Sequence, residues 1–149
     1  MADITLFVGS TLGATEYVAD RLAELLLAAG HQPQIISKFQ QWQPSDSPIR
    51  WWLICTATHG GGDLPDNIQP LGDYLSQHKL DLRDKQFAVI GVGDSSYDTF
   101  CEGAKTLERL LEHQGAVNRL PRLDIDVQHH PIPDDRAESG LPELLAILD

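Results

Sequence analysis

The chain has 149 residues, 42% hydrophobic and 22% charged, which suits one folded domain over 1–149 with one core and excludes a disordered chain. Lys and Arg number 11 against 22 Asp and Glu, for a net charge of -11. So acidic a chain lacks the basic footprint that nucleic acid or an anionic membrane surface requires, and it suits basic partners or a site that needs negative potential.

The N-terminal residues show neither a positive n-region nor an apolar h-region, so no secretory signal is expected, and no apolar run reaches the length of a bilayer span. Cys55 and Cys101 have no CxxC spacing and no further thiols to complete a zinc set. They are expected as reduced, packed thiols of a cytoplasmic protein.

In chain order, Ile4, Thr5, Leu6, Phe7 and Val8 predict a short buried strand over 4–8, with a turn over 9–13. Val18, Leu22, Leu25 and Leu26 recur at helical spacing within 16–29, and Gly30 stands where helices end. A weaker strand follows over 34–36. The polar stretch 39–48 contains Pro44 and Pro48 and predicts a loop with at most a helical turn. A third strand is predicted over 51–55, then a glycine-rich turn and a helix over 67–78, led in by Pro65 and Asp66 with a capping signal. The continuous apolar run 87–92 has the pattern of a central parallel strand covered on both faces. Next come a helix over 99–113 closed by Gly115, a fifth strand region over 116–125, a linker over 128–135 and a last helix over 141–148.

Alternating strands and helices without internal repeats predict an α/β fold. Five strands fit a doubly wound, five-stranded parallel sheet of order 2-1-3-4-5 in a single domain. Ligands of such sheets bind beyond the carboxyl ends of the strands where the order reverses, here strands one, three and four. Those are the places where this chain becomes rich in glycine.

The first of the three loops is Gly9-Ser10-Thr11-Leu12-Gly13-Ala14-Thr15-Glu16. Its small residues let the backbone wrap closely round a ligand. Its three hydroxyls beside a helix N-terminus make an anion cradle that needs no cation. It is neither GxGxxG nor a Walker loop and suits a phosphate monoester, although an ordinary capped turn would use the same residues. The second loop runs over 56–67 and holds Gly60, Gly61 and Gly62 in succession. Three glycines are costly to order, which points to a backbone that approaches a ligand or changes conformation rather than to a slack connector. His59 has no second ligand at workable spacing for a metal, and the adjacent His129 and His130 are expected at the surface. The third loop, over 91–101, offers backbone donors, hydroxyls and Tyr97. That ring would either cover a flat ligand or pack on the edge of the core.

These residues resemble a known family. Residues 10–16 resemble the phosphate loop of flavodoxins, and 56–67 are similar to the second flavin loop in the FMN domains of diflavin reductases. Gly93, Asp94, Ser95, Ser96 and Tyr97, with Phe100 and Cys101, are similar to the third flavin loop of the sulfite reductase flavoprotein. With all three in order over nearly the whole length, and no long insertion in the fifth strand, the chain resembles a short-chain flavodoxin. The resemblance implies FMN held without a covalent link. Ser10, Thr11, Gly13, Ala14 and Thr15 would hold the phosphate, Gly93 and Asp94 would meet the pyrimidine edge, and Tyr97 would stack on the outer face. Ala57, Thr58, His59, Gly60 and Gly61 would line the inner face, and the peptide beside Gly60 would flip so that its carbonyl accepts the proton on flavin N5. Leu12 stands where most members carry a hydroxyl, and His59 where many carry Trp or Tyr.

The implied function is a low-potential one-electron carrier. It would act as a monomer between a basic-faced NAD(P)H-dependent flavodoxin reductase and a client redox enzyme, with no catalysis of its own. A carboxylate ~10 Å from the ring opposes an added electron by about 1.7 kcal/mol at an effective dielectric of ~20, roughly 70 mV before screening by salt. Asp63, Asp66, Asp94, Asp98 and Glu102 lie on or beside the loops, where capping and solubility also account for acidic residues. One alternative is a flavodoxin-like NAD(P)H:quinone reductase, which needs a nicotinamide site usually built by inserted loops and a dimer partner. The other is a flavin-free receiver-like module, which wants an acidic cluster where this chain has Val8, Gly9, Ser10 and Thr11.

Overall fold

The apolar runs form the inner strands of the sheet. In a computed structural model, which describes residues 2–10, 13–59 and 61–148, β1 (Asp3–Gly9), β2 (Gln32–Ile36), β3 (Trp51–Ala57) and β4 (Gln86–Gly93) pair in parallel in the order β2-β1-β3-β4. The fifth position is shared by β5 (Val117–Asn118) and β6 (Leu123–Asp126), both paired to β4. The doubly wound order 2-1-3-4-5 is therefore observed.

Side-chain alternation along each strand fills two cores. Leu6, Val8, Leu53, Cys55, Ile90 and Val92 face α1 (Ala14–Ala28), α4 (Pro133–Ser139) and α5 (Leu141–Ile147). Phe7, Trp52, Ile54, Phe87 and Val89 face α2 (Gln69–Gln77) and α3 (Glu102–His113). Both α1 and α3 close with paired backbone bonds, His31 and Gly30 N–H to the Leu26 and Leu27 carbonyls, and Ala116 and Gly115 N–H to those of Leu111 and Glu112. The stretch 39–48 makes one short 3-10 turn (Pro44–Asp46) and buries Phe39 and Trp42 edge-on to Phe7, at centroid distances of 5.6 and 6.0 Å.

Four expectations need correction. The strand region 116–125 is two strands, because Pro121 has no N–H to give the ladder and restricts Leu120 before it. The linker over 128–135 already contains the start of α4. Pro133 in its first turn with Asp134 and Asp135 is helix-start chemistry that reads equally as a linker. The helix over 99–113 begins at Glu102, since Phe100 and Glu102 donate back to Tyr97 and Thr99 in turns and Cys101 has φ 55. The helix over 67–78 begins at Gln69, where the Ile68 and Gln69 N–H groups share the Pro65 carbonyl and no side chain among the described residues caps the helix.

Across the sheet, Gly9 pairs with Thr56 and Thr56 with Gly91. Strands β1, β3 and β4 thus end at nearly one level, and the loops that follow them meet.

Candidate functional site

The three loops open onto one cleft of about 490 Å³. The first loop contributes Ala14 and Thr15, the second Ala57, Thr58 and His59, and the third Gly93, Asp94, Tyr97, Phe100 and Cys101. Val92, Thr99 and Val127 also line it and were not singled out from sequence. Val127 carries no local signal; it arrives through the pairing of β6 with β4, and its N–H donates to the Gly93 carbonyl at 2.9 Å. Ser10, Gly13, Gly61, Ser95 and Ser96 belong to the same loops but not to the lining. Thr11, Leu12 and Gly60 lie outside the described residues.

At one end of the cleft, α1 begins at Gly13, whose φ of 88° lies in the left-handed region that favours glycine. No side chain among the described residues caps the first turn of this helix. Its outward N–H groups and the positive end of its dipole are therefore available to an anion. Ser10 Oγ accepts the Gly13 N–H at 3.0 Å, and Thr15 is buried beside it in the first turn. None of the described lining residues is Lys or Arg, so the donors are neutral.

The second loop is closed rather than slack. His59 and Asp63 exchange backbone hydrogen bonds of 2.7 and 2.9 Å, and Gly62, with φ 104, completes the turn. Thr58 Oγ1 accepts the Gly103 N–H at 2.9 Å, which ties the loop to the start of α3. The His59 ring is exposed.

Two carboxylates brace the third loop. Asp94 accepts the Ser96 N–H at 2.9 Å, the Ser96 hydroxyl at 2.6 Å and Gln128 Nε2 at 3.0 Å. Asp126 accepts the Ser95 N–H at 3.1 Å and the Gln128 N–H at 3.0 Å, with His129 Nε2 3.6 Å away. These bonds hold both carboxyls below the usual carboxylate range, with Ser96 the main cause for Asp94 and Ser95 for Asp126. Glu102 pairs with Lys105 at 3.2 Å, while Asp63, Asp66 and Asp98 are exposed. Tyr97 stands at the rim, 67% exposed. Cys101 fills the space that side chains on Gly91 and Gly93 would need, and burial pushes its thiol up to about 12, as it does that of Cys55. Both thiols are free and buried.

A helix end that no described side chain caps, neutral donors, the apolar side chains of Ala57, Val92, Phe100 and Val127 and an aromatic rim match a flat ring carrying an anionic tail. The family model described as flavodoxin matches residues 6–140. The chain belongs to the flavodoxin family. The family's cofactor is FMN and its members carry electrons. This flavodoxin is 43% identical over 148 residues to Protein MioC of Escherichia coli O157:H7, an alignment that covers 99% of each chain. It is 35% identical over 136 residues, 90% of each chain, to Flavodoxin YqcA of Escherichia coli (strain K12). Among solved structures it resembles the C101S mutant of flavodoxin from Pseudomonas aeruginosa, with a TM-score of 0.88 and 32% identity over 98% of each chain.

The residues present are compatible with FMN: a phosphate needs hydrogen-bond donors, which the outward N–H groups of α1 offer, and a flat ring needs apolar surface, which Ala57, Val92, Phe100 and Val127 offer. Among the described residues no helix is long and apolar enough to cross a membrane, and no cluster of His, Cys, Asp and Glu could hold a metal ion.

Proposed function

We propose that this chain holds FMN in the cleft between the three loops and works as a low-potential one-electron carrier from a basic-faced NAD(P)H-dependent reductase to a client redox enzyme. The observation that carries the reading is the convergence, in one 490 Å³ cleft, of a helix N-terminus that no described side chain caps, the apolar side chains of Ala57, Val92, Phe100 and Val127, and an exposed tyrosine at the rim. When bound, FMN supplies a ring that takes up and releases electrons one at a time.

The chain's own residues do the rest. The first-turn N–H groups of α1, with the hydroxyls of Ser10, Thr11 and Thr15, would hold the phosphate, and Ala14 and Gly13 would let it approach the backbone. Tyr97 would cover the outer face of the ring. Ala57, Thr58 and His59 would stand on the inner side, where Gly60 and Gly61 would let a peptide turn over to accept the proton on N5. Backbone groups of Gly93 and Asp94 would meet the pyrimidine edge. The Asp94 carboxylate, already taken by Ser96 and Gln128, supports this reading as a brace that fixes the loop before the ring arrives.

Reduction of the FMN-loaded protein in small steps, followed by absorbance, tests the proposal. Two separated one-electron steps are expected, with no reduction by NAD(P)H until a reductase is added. Rapid reduction by NAD(P)H alone would instead make the chain a reductase. A soluble chain that fails to take up FMN at micromolar concentration would end the cofactor reading.

A further inference from the structure

Asn67 lies outside the cleft lining yet joins three chain segments with one side chain. Its Oδ1 accepts the Ser10 N–H at 3.0 Å, and its Nδ2 donates to the Val8 carbonyl at 2.7 Å and to the Ser37 carbonyl at 2.9 Å. Both carbonyls can only accept, so the site requires an amide, and a carboxylate of the same shape would set oxygen against oxygen.

The reach of this side chain follows from Gly9. A Cβ there would stand 2.4 Å from Thr56 Oγ1 and 2.6 Å from Ile68 Cγ2. Without one, the turn that ends the second loop settles against the end of β1 with Ile68 fully buried, and it carries Asn67 to Val8 and Ser10. Ser10 Oγ in turn accepts the N–H of Gly13, the residue that opens α1. A chain of bonds therefore runs from the end of the second loop, through Asn67 and Ser10, to the helix end where an anion would sit. It also sets the role of Ser10: its N–H is given to Asn67, so what it turns to an anion is its hydroxyl.

We propose that Asn67 is a positioning residue for the phosphate-binding loop, and that it supports recognition of the FMN phosphate rather than of the ring. The inference rests on the FMN reading above. A loop held in place beforehand does not have to be ordered when the phosphate binds, so its clamp acts on phosphate affinity selectively.

The test compares FMN with riboflavin, which has the same ring and no phosphate, on the full chain stripped of flavin. Binding is read by quenching of flavin fluorescence, and folding by thermal melting followed by circular dichroism. The unsubstituted chain should prefer FMN. In Asn67→Ala the FMN Kd should rise about tenfold while the riboflavin Kd changes less than about twofold, so that the preference collapses. Asn67→Ser, which keeps a hydroxyl, should fall between the two. Parallel loss of both ligands, no loss of either, or failure of both variants to fold would overturn the proposal and leave Asn67 a general structural residue. Refusal of FMN by the unsubstituted chain would overturn the cofactor reading itself, which separates the two failures.

Discussion

Asp94 and Asp126 act on the third loop through hydrogen bonds they accept only in the folded state. Their folded pKa values lie below the unfolded ones, so the support they give is complete above the ordinary carboxylate range and is lost as pH falls through the lowered values. Affinity for riboflavin, which lacks the phosphate that itself titrates near pH ~6, is therefore expected to stay level from neutral pH down to the carboxylate range and to fall only in stronger acid. Asp126→Asn, which weakens the bonds to Ser95 and Gln128, should raise the FMN Kd about three- to tenfold at neutral pH. Equilibrium titrations across pH check both, and a variant that binds like the parent would remove the brace. The bonds of Asp94 to Ser96 are local, but its link to Gln128 was not legible, because that residue is 34 positions away in sequence and arrives only through the pairing of β6 with β4. Asn67 was legible only as part of the second loop, since its bonds to Val8, Ser10 and Ser37 span up to 59 residues.

The two halves of the core differ in how firmly their helices sit. Leu107 of α3 is fully buried among Phe87, Val89 and Leu111. Leu144 of α5 adjoins a cavity of about 320 Å³ between the sheet, residues 120–123 and α4. Leu107→Ala should lower unfolding stability by about 3 kcal/mol, and Leu144→Ala by less than half of that, because a side chain beside a void loses fewer contacts on truncation. Urea denaturation of both variants measures the difference, and equal losses would show α5 to be as tightly seated as α3. At this scale the inner strands were readable because β1, β3 and β4 are buried on both faces and so are mostly apolar, interrupted within the buried runs by Thr5 and Thr56. The outer strands β5 and β6 owe their existence to β4 rather than to their own sequence, and the short α4 opens on residues that also suit a linker.

A net charge of -11 works against compaction and for encounter with basic surfaces. Raising sodium chloride from about 20 mM to about 300 mM, which shortens the Debye length severalfold, should raise the melting temperature of the apoprotein. The same salt should slow electron transfer from a basic-faced reductase in stopped flow. A transfer rate indifferent to salt would remove electrostatic steering from the account. Strand order and the place of the cleft were legible from alternation, handedness and glycine placement. The packing of Phe39 and Trp42 beneath β1 was not, since a polar stretch with two prolines gives no sign of the ring cluster it covers. The interruption at Pro121 has a counterpart at the opposite flank, where Pro33 lies within β2 and pairs with Ile4. Neither margin of the sheet thus presents an unbroken row of amide groups on which another chain could zip. A protein this rich in parallel strands is in that way guarded on both sides against fibrillar stacking while it folds and when it is concentrated.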